Sequence, residues 1–271
     1  MHLQRQGGCT DSVKKFRRAG GTHLVLSHMP YYDMRDWDVK GYAPIYDRTL
    51  RMAEEARQGT DVKVFVTLGP YPVDMLALKE GVGLKKAEDI LMGGMDLAGK
   101  CVEEGKAVAL GEIGRPHFEV SEEVMDASNR VMLYGMELAA DLSCPVILHT
   151  ESTTPEVCRE IAGMADEAGL PRDKVVKHYS PPMILEKENH GLFPSVLASE
   201  KNLRAALEKG DRFVMETDYL DDPARPGAVL GIKTVPKKTF KLHEGGALTE
   251  KNWQRIHIQN PSKLYDIDVE L

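Results

Sequence analysis

Short apolar runs alternate along this chain with longer segments that repeat an apolar residue every third or fourth position. The runs at 22–28, 62–68, 107–113, 145–149, 174–178, 194–198 and 212–218 read as strands buried on both faces, the habit of a parallel sheet. The segments between them read as helices. One covers 11–19 and is closed by Gly20-Gly21; another covers 45–58 and stops at Gly59; two more cover 72–80 and 84–104, the second ending at Gly105. Ser121 is the expected N-cap of a helix to Asp141, with Val124, Ala127, Val131, Tyr134 and Leu138 on one apolar face. Further helices are expected at 154–168 and 203–209, then a Pro/Gly-rich loop at 219–236, a last helix from Thr249 and a closing segment from Asn260-Pro261 through Tyr265. Met29-Pro30-Tyr31-Tyr32 leads from the first strand into a polar loop with Asp33, Asp36 and Asp38.

This alternation, without a composition break, predicts an α/β fold: a parallel sheet with crossover helices. The 271 residues suit one (β/α)8 TIM barrel over 1–271, since that fold needs about 250. A barrel has eight strands and the pattern supplies seven. The first strand is expected to be truncated here, its body preceding Met1.

Composition narrows the function classes. No apolar run is long enough to span a bilayer, and residues 1–6 carry no apolar signal segment, so neither membrane insertion nor secretion is expected. Cys9, Cys101, Cys144 and Cys158 are scattered and form no Cys-x-x-Cys pair, which suits reduced thiols in a cytoplasmic protein. A net charge of −7 argues against strong non-specific nucleic-acid binding.

The chemistry gathers at the strand ends. Val108-Ala109-Leu110-Gly111-Glu112-Ile113-Gly114 is a buried strand delivering a carboxylate between two glycines. His149, His178 and Asp218 stand at the ends of three later strands, and His2 stands where the tip of the missing first strand would be. In a (β/α)8 barrel such ends converge on one face. Imidazoles with carboxylates can hold one or two divalent transition metals, the layout of metal-assisted hydrolysis. Arg115 and His117 follow Glu112 and are candidates to grip an anionic substrate; Tyr179 and Tyr219 flank ligand positions and are candidates to line the pocket. Glu216 is read as facing away from the site, His28 as a supporting residue, and Asp221-Asp222 as a solvated loop pair. His23, His190, His243 and His257 have no partner pattern and are read as structural.

The order Gly111-Glu112-Ile113-Gly114, Pro145-Val146-Ile147-Leu148-His149, a strand-end His178, Glu216-Thr217-Asp218 and a closing Asn260-Pro261-Ser262-Lys263-Leu264-Tyr265 resembles the TatD-like metal-dependent hydrolases of the amidohydrolase superfamily. The resemblance covers nearly the whole chain. It implies that His2 matches the second histidine of the family's opening Asp-x-His-x-His. Glu112 matches the carboxylate bridging two metals, and His149 and His178 match ligands of the second metal. Asp218 matches the aspartate that binds the first metal and the attacking water and acts as general base. The implied cofactor is one or two divalent ions, zinc foremost, with Mn, Mg, Ni or Fe as alternatives. The chain departs from the pattern where Arg115-Pro116-His117-Phe118 replaces Leu-Asp-Tyr, where Glu151 replaces an arginine, and where the first histidine is absent. These departures resemble an archaeal-type TatD-related branch. The implied reaction is hydrolysis by a metal-activated water of a phosphoester, in a small-molecule or nucleotide-type substrate, by nuclease or phosphoesterase chemistry. The alternatives are hydrolysis of a small cyclic amide, ester or lactone, and a non-catalytic barrel with a degraded first site.

Overall fold

The computed structural model describes residues 1–30 and 38–270; Tyr31, Tyr32, Asp33 and Asp36 of the expected polar loop lie outside them. Seven parallel strands form one sheet in sequential order: β1 (His23–Ser27), β2 (Lys63–Leu68), β3 (Ala109–Gly114), β4 (Val146–His149), β5 (Val175–Ser180), β6 (Phe193–Leu197) and β7 (Val214–Glu216). The helices are α1 (Thr10–Arg18), α2 (Tyr42–Gly59), α3 (Asp74–Val82), α4 (Leu84–Glu103), α5 (Glu122–Asp141), α6 (Pro155–Glu167), α7 (Glu186–Asn189), α8 (Glu200–Lys209), α9 (Thr234–Glu244), α10 (Glu250–Gln254) and α11 (Asn260–Tyr265).

Two residues complete the ring. The Ser27 amide donates to the Met1 carbonyl at 2.9 Å, the His2 amide donates to the Tyr219 carbonyl at 2.8 Å, and the Asp221 amide donates to the His2 carbonyl at 3.0 Å. Met1 therefore pairs toward β1 and His2 toward the chain leaving β7, the alternating pattern of a residue pair between two parallel neighbours. The architecture is the (β/α)8 TIM barrel, with Met1-His2 holding the eighth strand position.

Side-chain alternation sorts each strand into a lumen face and a helix face. Ala109, Ile147, Val176 and Phe193 pack together in the lumen with Leu264 and Tyr265 of α11. Leu110, Val146, Leu148 and Val175 point the other way, into the larger core beneath the helices. Burial on both faces is why these strands read as unbroken apolar runs.

Two helices are absent from the sequence reading, the single-turn α7 and the longer α9. α9 begins at Thr234 inside the expected Pro/Gly-rich loop, and Pro236 sits in its first turn, where the missing amide costs no helical hydrogen bond. Its stripe is weak, since Leu242 is buried while Phe240 is exposed. Among the described residues no helix is long and apolar enough to cross a membrane.

Candidate metal centre

Two strand irregularities aim the central side chains. From Ala109, strict alternation would turn Glu112 toward the helices. The β3–β4 register instead shifts between Gly111 and Ile113, so Glu112 is the extra residue of a bulge and faces the lumen. The flanking glycines are required by close approach. A Cβ on Gly111 would lie 2.7 Å from the Ile147 side chain, and one on Gly114 (φ +140°) would lie 2.2 Å from the His149 carbonyl oxygen. The β5–β6 register also shifts, between Lys177 and Ser180, which sets His178 and Tyr179 out of regular pairing at the strand end. Tyr179 and Asp218 take left-handed backbone angles (φ 55° and 49°), a conformation that concentrates at functional sites.

Two donor groups result. Glu112, His149 and His178 bring ligand-capable atoms within 4.8 Å of one another, and so do His2, Glu112 and Asp218. Nε2 of His2 lies 3.2 Å from Asp218 Oδ1 and 3.4 Å from Glu112 Oε1. Nδ1 of His149 lies 3.4 Å from Glu112 Oε2. That Nδ1 is buried and has no hydrogen-bond partner. Nitrogen and carboxylate donors without thiolate, with one orphaned imidazole nitrogen among them, fit a divalent cation such as zinc or manganese.

Neighbouring groups fix the ring orientations. Nδ1 of His2 donates to the His28 carbonyl at 3.2 Å, leaving Nε2 for the carboxylates. Nδ1 of His178 donates to Glu216 at 3.3 Å, and the same carboxylate accepts from Ser195 Oγ and from the Tyr179 amide. Such outer carboxylates hold a ligating imidazole in one tautomer. Nε2 of His149 shares a 2.9 Å hydrogen bond with Nδ1 of His117.

The electrostatics favour ionised carboxylates. Burial opposes charge on His2, but Glu112 and Asp218 outweigh it and hold its pKa up at about 9. Burial likewise opposes charge on His178, and Glu112 and Glu216 raise its pKa to about 9. Burial alone would raise Glu112, yet His178 and His2 keep it well below the usual carboxylate range. Asp218 is lowered in the same way, with His2 countering its burial. A cation entering either group must displace protons from the imidazoles.

The structure corrects several readings. Glu216 faces the site: it is two residues from Asp218, so a two-residue repeat puts both on one face, with Val214 beneath them. Arg115 is 3% exposed, and its five N–H groups go to Glu151, Glu160 and Asn129, leaving no donor for an anionic substrate. It pairs with the very Glu151 that replaces the family's arginine. The Tyr219 hydroxyl turns to Ser12 and Asp221 rather than into the pocket. Asp221 is not solvated. It is buried, accepting from the Gly8 and Cys9 amides and the Ser12 hydroxyl, and so ties the start of α1 to the chain after β7. The His117 ring lies against His149 and the exposed Tyr179 ring against His178. A cavity of about 200 Å³ lies beneath, lined above by Glu112, His178, Glu216 and Asp218 and below by Val25, Val214 and Tyr265. Sequence reasoning missed Glu216 and Ser195 as site residues; the Glu-x-Asp spacing at the end of β7 was the available signal for Glu216.

Comparison with known proteins agrees with this geometry. The TatD-like protein of Archaeoglobus fulgidus superposes with a TM-score of 0.62 at 18% identity, covering 98% of each chain. A TatD homologue of Escherichia coli K12 gives 0.64 at 19% identity, covering 94% of this chain and 91% of its own. The organophosphorus hydrolase of Deinococcus radiodurans gives 0.64 at 15% identity, covering 95% and 83%. At these identities the likeness is one of fold. In sequence, the chain is 41% identical over 265 residues to an uncharacterised protein of Methanocaldococcus jannaschii, covering 97% of this chain and 92% of the relative. A family model described as TatD related DNase matches residues 1–266. With that match over nearly its whole length, the chain belongs to the TatD-related DNase family of metal-dependent hydrolases.

Proposed function

We propose that this chain hydrolyses a phosphoester, in a small-molecule or nucleotide-type substrate, and that residues 1–271 work as one barrel domain in the cytoplasm. The carrying observation is that Glu112 belongs to both donor groups, the arrangement a two-ion hydrolytic centre requires. His149 and His178 with Glu112 would hold one ion, and His2 and Asp218 with Glu112 the other. When bound, these ions, zinc foremost, with Mn, Mg, Ni or Fe as alternatives, supply Lewis acidity toward water and the phosphoryl oxygen. Asp218, kept ionised by His2, takes the proton from the attacking water and returns it to the leaving oxygen. His2 orients Asp218 through their 3.2 Å contact. Glu216 holds the His178 ring so that its Nε2 stays free. Arg115 stabilises the base of the loop that carries His117 and leaves the substrate untouched.

The test is elemental analysis combined with a hydrolysis panel. Full-length protein prepared without chelator should carry one to two divalent ions, and the double variant His149→Ala/His178→Ala should lose those of the second group. Bis(4-nitrophenyl) phosphate should be turned over by the zinc- or manganese-loaded chain, and Asp218→Asn should lower kcat by at least ~10²-fold. Unchanged metal content in the double variant would overturn the ligand assignment. Turnover of lactones or cyclic amides alone would move the reaction class, and turnover of nothing would favour a binding protein.

A further inference from the structure

The segment Arg115-Pro116-His117, which follows β3, is built around His149. The Arg115 amide donates to the His149 carbonyl at 3.1 Å. The Arg115 guanidinium is buried and pairs with Glu151, two residues past His149, and with Glu160 on α6. Pro116 fixes its own φ and holds Arg115 out of helical geometry, so the chain stays extended for one more step. The next ring, His117, then meets the His149 ring at 4.9 Å between centroids, with its Nδ1 2.9 Å from His149 Nε2. His117 is exposed, so replacing it leaves the core untouched.

The His149 ring has two further neighbours. His178 stacks on it at 5.5 Å and Tyr71 meets it edge-on at 5.1 Å. These contacts hold the plane of the ring, and a half-turn about Cβ–Cγ leaves that plane unchanged while exchanging Nδ1 with Cδ2. The hydrogen bond at Nε2 removes the alternative. With Nε2 against His117, Nδ1 is turned to Glu112 Oε2 at 3.4 Å, buried and without a hydrogen-bond partner. The same bond places the proton. A neutral imidazole carries one N–H. An Nδ1 that ligates a cation holds none, so the proton sits on Nε2 and is donated to His117 Nδ1. The nitrogen that a histidine offers to a metal is set by the hydrogen bond its other nitrogen makes. For His178 that partner is Glu216; His149 has His117 in the same place.

We propose that His117 is a positioning residue for the second donor group: its Nδ1 accepts from His149 Nε2–H and so presents His149 Nδ1 to a cation shared with Glu112 and His178. This rests on the ligand assignment above and adds the residue that selects the ligating nitrogen.

The test titrates the full-length chain, carrying isotope-labelled histidine, with zinc and reads the rings by long-range proton–nitrogen NMR, which separates protonated, bare and metal-bound nitrogens. His149 should show a metal-bound Nδ1 and a protonated Nε2, and His117 a bare Nδ1. His117→Ala should weaken the zinc held by His149 and His178 roughly 10- to 100-fold, followed on those two rings against a competing chelator, and His117→Asn, whose Oδ1 falls where Nδ1 stood, should restore it. Zinc on His149 Nε2, zinc on His117 Nδ1, or an affinity unmoved in His117→Ala overturns the proposal while His149 and His178 remain ligands. Equal weakening by alanine and asparagine overturns it too. If zinc perturbs neither the His149 nor the His178 ring, the ligand assignment falls and the proposal with it.

Discussion

Arg115→Met asks whether the guanidinium is a structural hub or a substrate ligand. The side chain is 3% exposed, while Glu151 and Glu160 are 30% and 53% exposed. Stranding one partner of a fully buried ion pair costs about 3–5 kcal/mol. Here both carboxylates can rehydrate, so the cost falls toward the lower end, and the lost charge-assisted bonds set it at about 3 kcal/mol. For a chain of this size that corresponds to a fall in Tm of roughly 6–12 °C. Arg115→Lys keeps the charge but offers three donors on a point charge instead of a five-donor fork, and should lose about half as much. The assays are urea denaturation at constant m and thermal melting, with KM for a phosphodiester measured in parallel. A loss below ~1 kcal/mol in Arg115→Met, accompanied by a raised KM, would refute the structural assignment and return Arg115 to the substrate.

Three further outcomes follow from the centre. His2 and His178 have folded pKa values raised from 6.5 to about 9. In chelator-treated protein their stabilising contribution is therefore full below pH 6.5 and is lost as pH rises through about 9, while zinc affinity rises over the same interval; urea midpoints at pH 6.5 and 9.5 that coincide would contradict this. Glu216→Gln should weaken zinc affinity by roughly 10- to 100-fold with little change in fold, read by competition with a chromogenic chelator; unaltered affinity would show that Glu216 does not orient His178. Gly114→Ala places a Cβ 2.2 Å from the His149 carbonyl at a φ of +140°, and should destabilise the chain by at least ~2 kcal/mol; near-neutral stability by denaturation would mean that β3 and β4 can separate there.

The barrel was legible because burial on both faces writes its strands as apolar runs, and Glu112, His149, His178 and Asp218 were legible because each stands at the end of such a run. What stayed hidden depended on register and distance. The inward turn of Glu112 needs a bulge that simple alternation from Ala109 denies. Arg115 looked available because its partners Glu151 and Glu160 lie 36 and 45 residues further on. Asp221 looked solvated because the amides it caps, at Gly8 and Cys9, lie more than two hundred residues earlier. α9 was lost because its proline, its exposed Phe240 and its lysines resemble a loop more than an amphipathic helix. Glu216 was a misreading of a repeat the sequence did contain.

The pairing of Met1 and His2 with the two edge strands has a mechanical consequence. His2 and Asp218 are 216 positions apart, yet they meet at 3.2 Å where Met1-His2 bridges β1 to the chain leaving β7. A cation held by His2, Asp218 and Glu112 would act as a clasp on a hoop, a reversible cross-link spanning most of the chain. Clips that close long loops restrain the unfolded chain most strongly. Chelation would then loosen the barrel first at this seam, with the Ser27 and Asp221 amides exchanging with solvent ahead of those in β3 to β5.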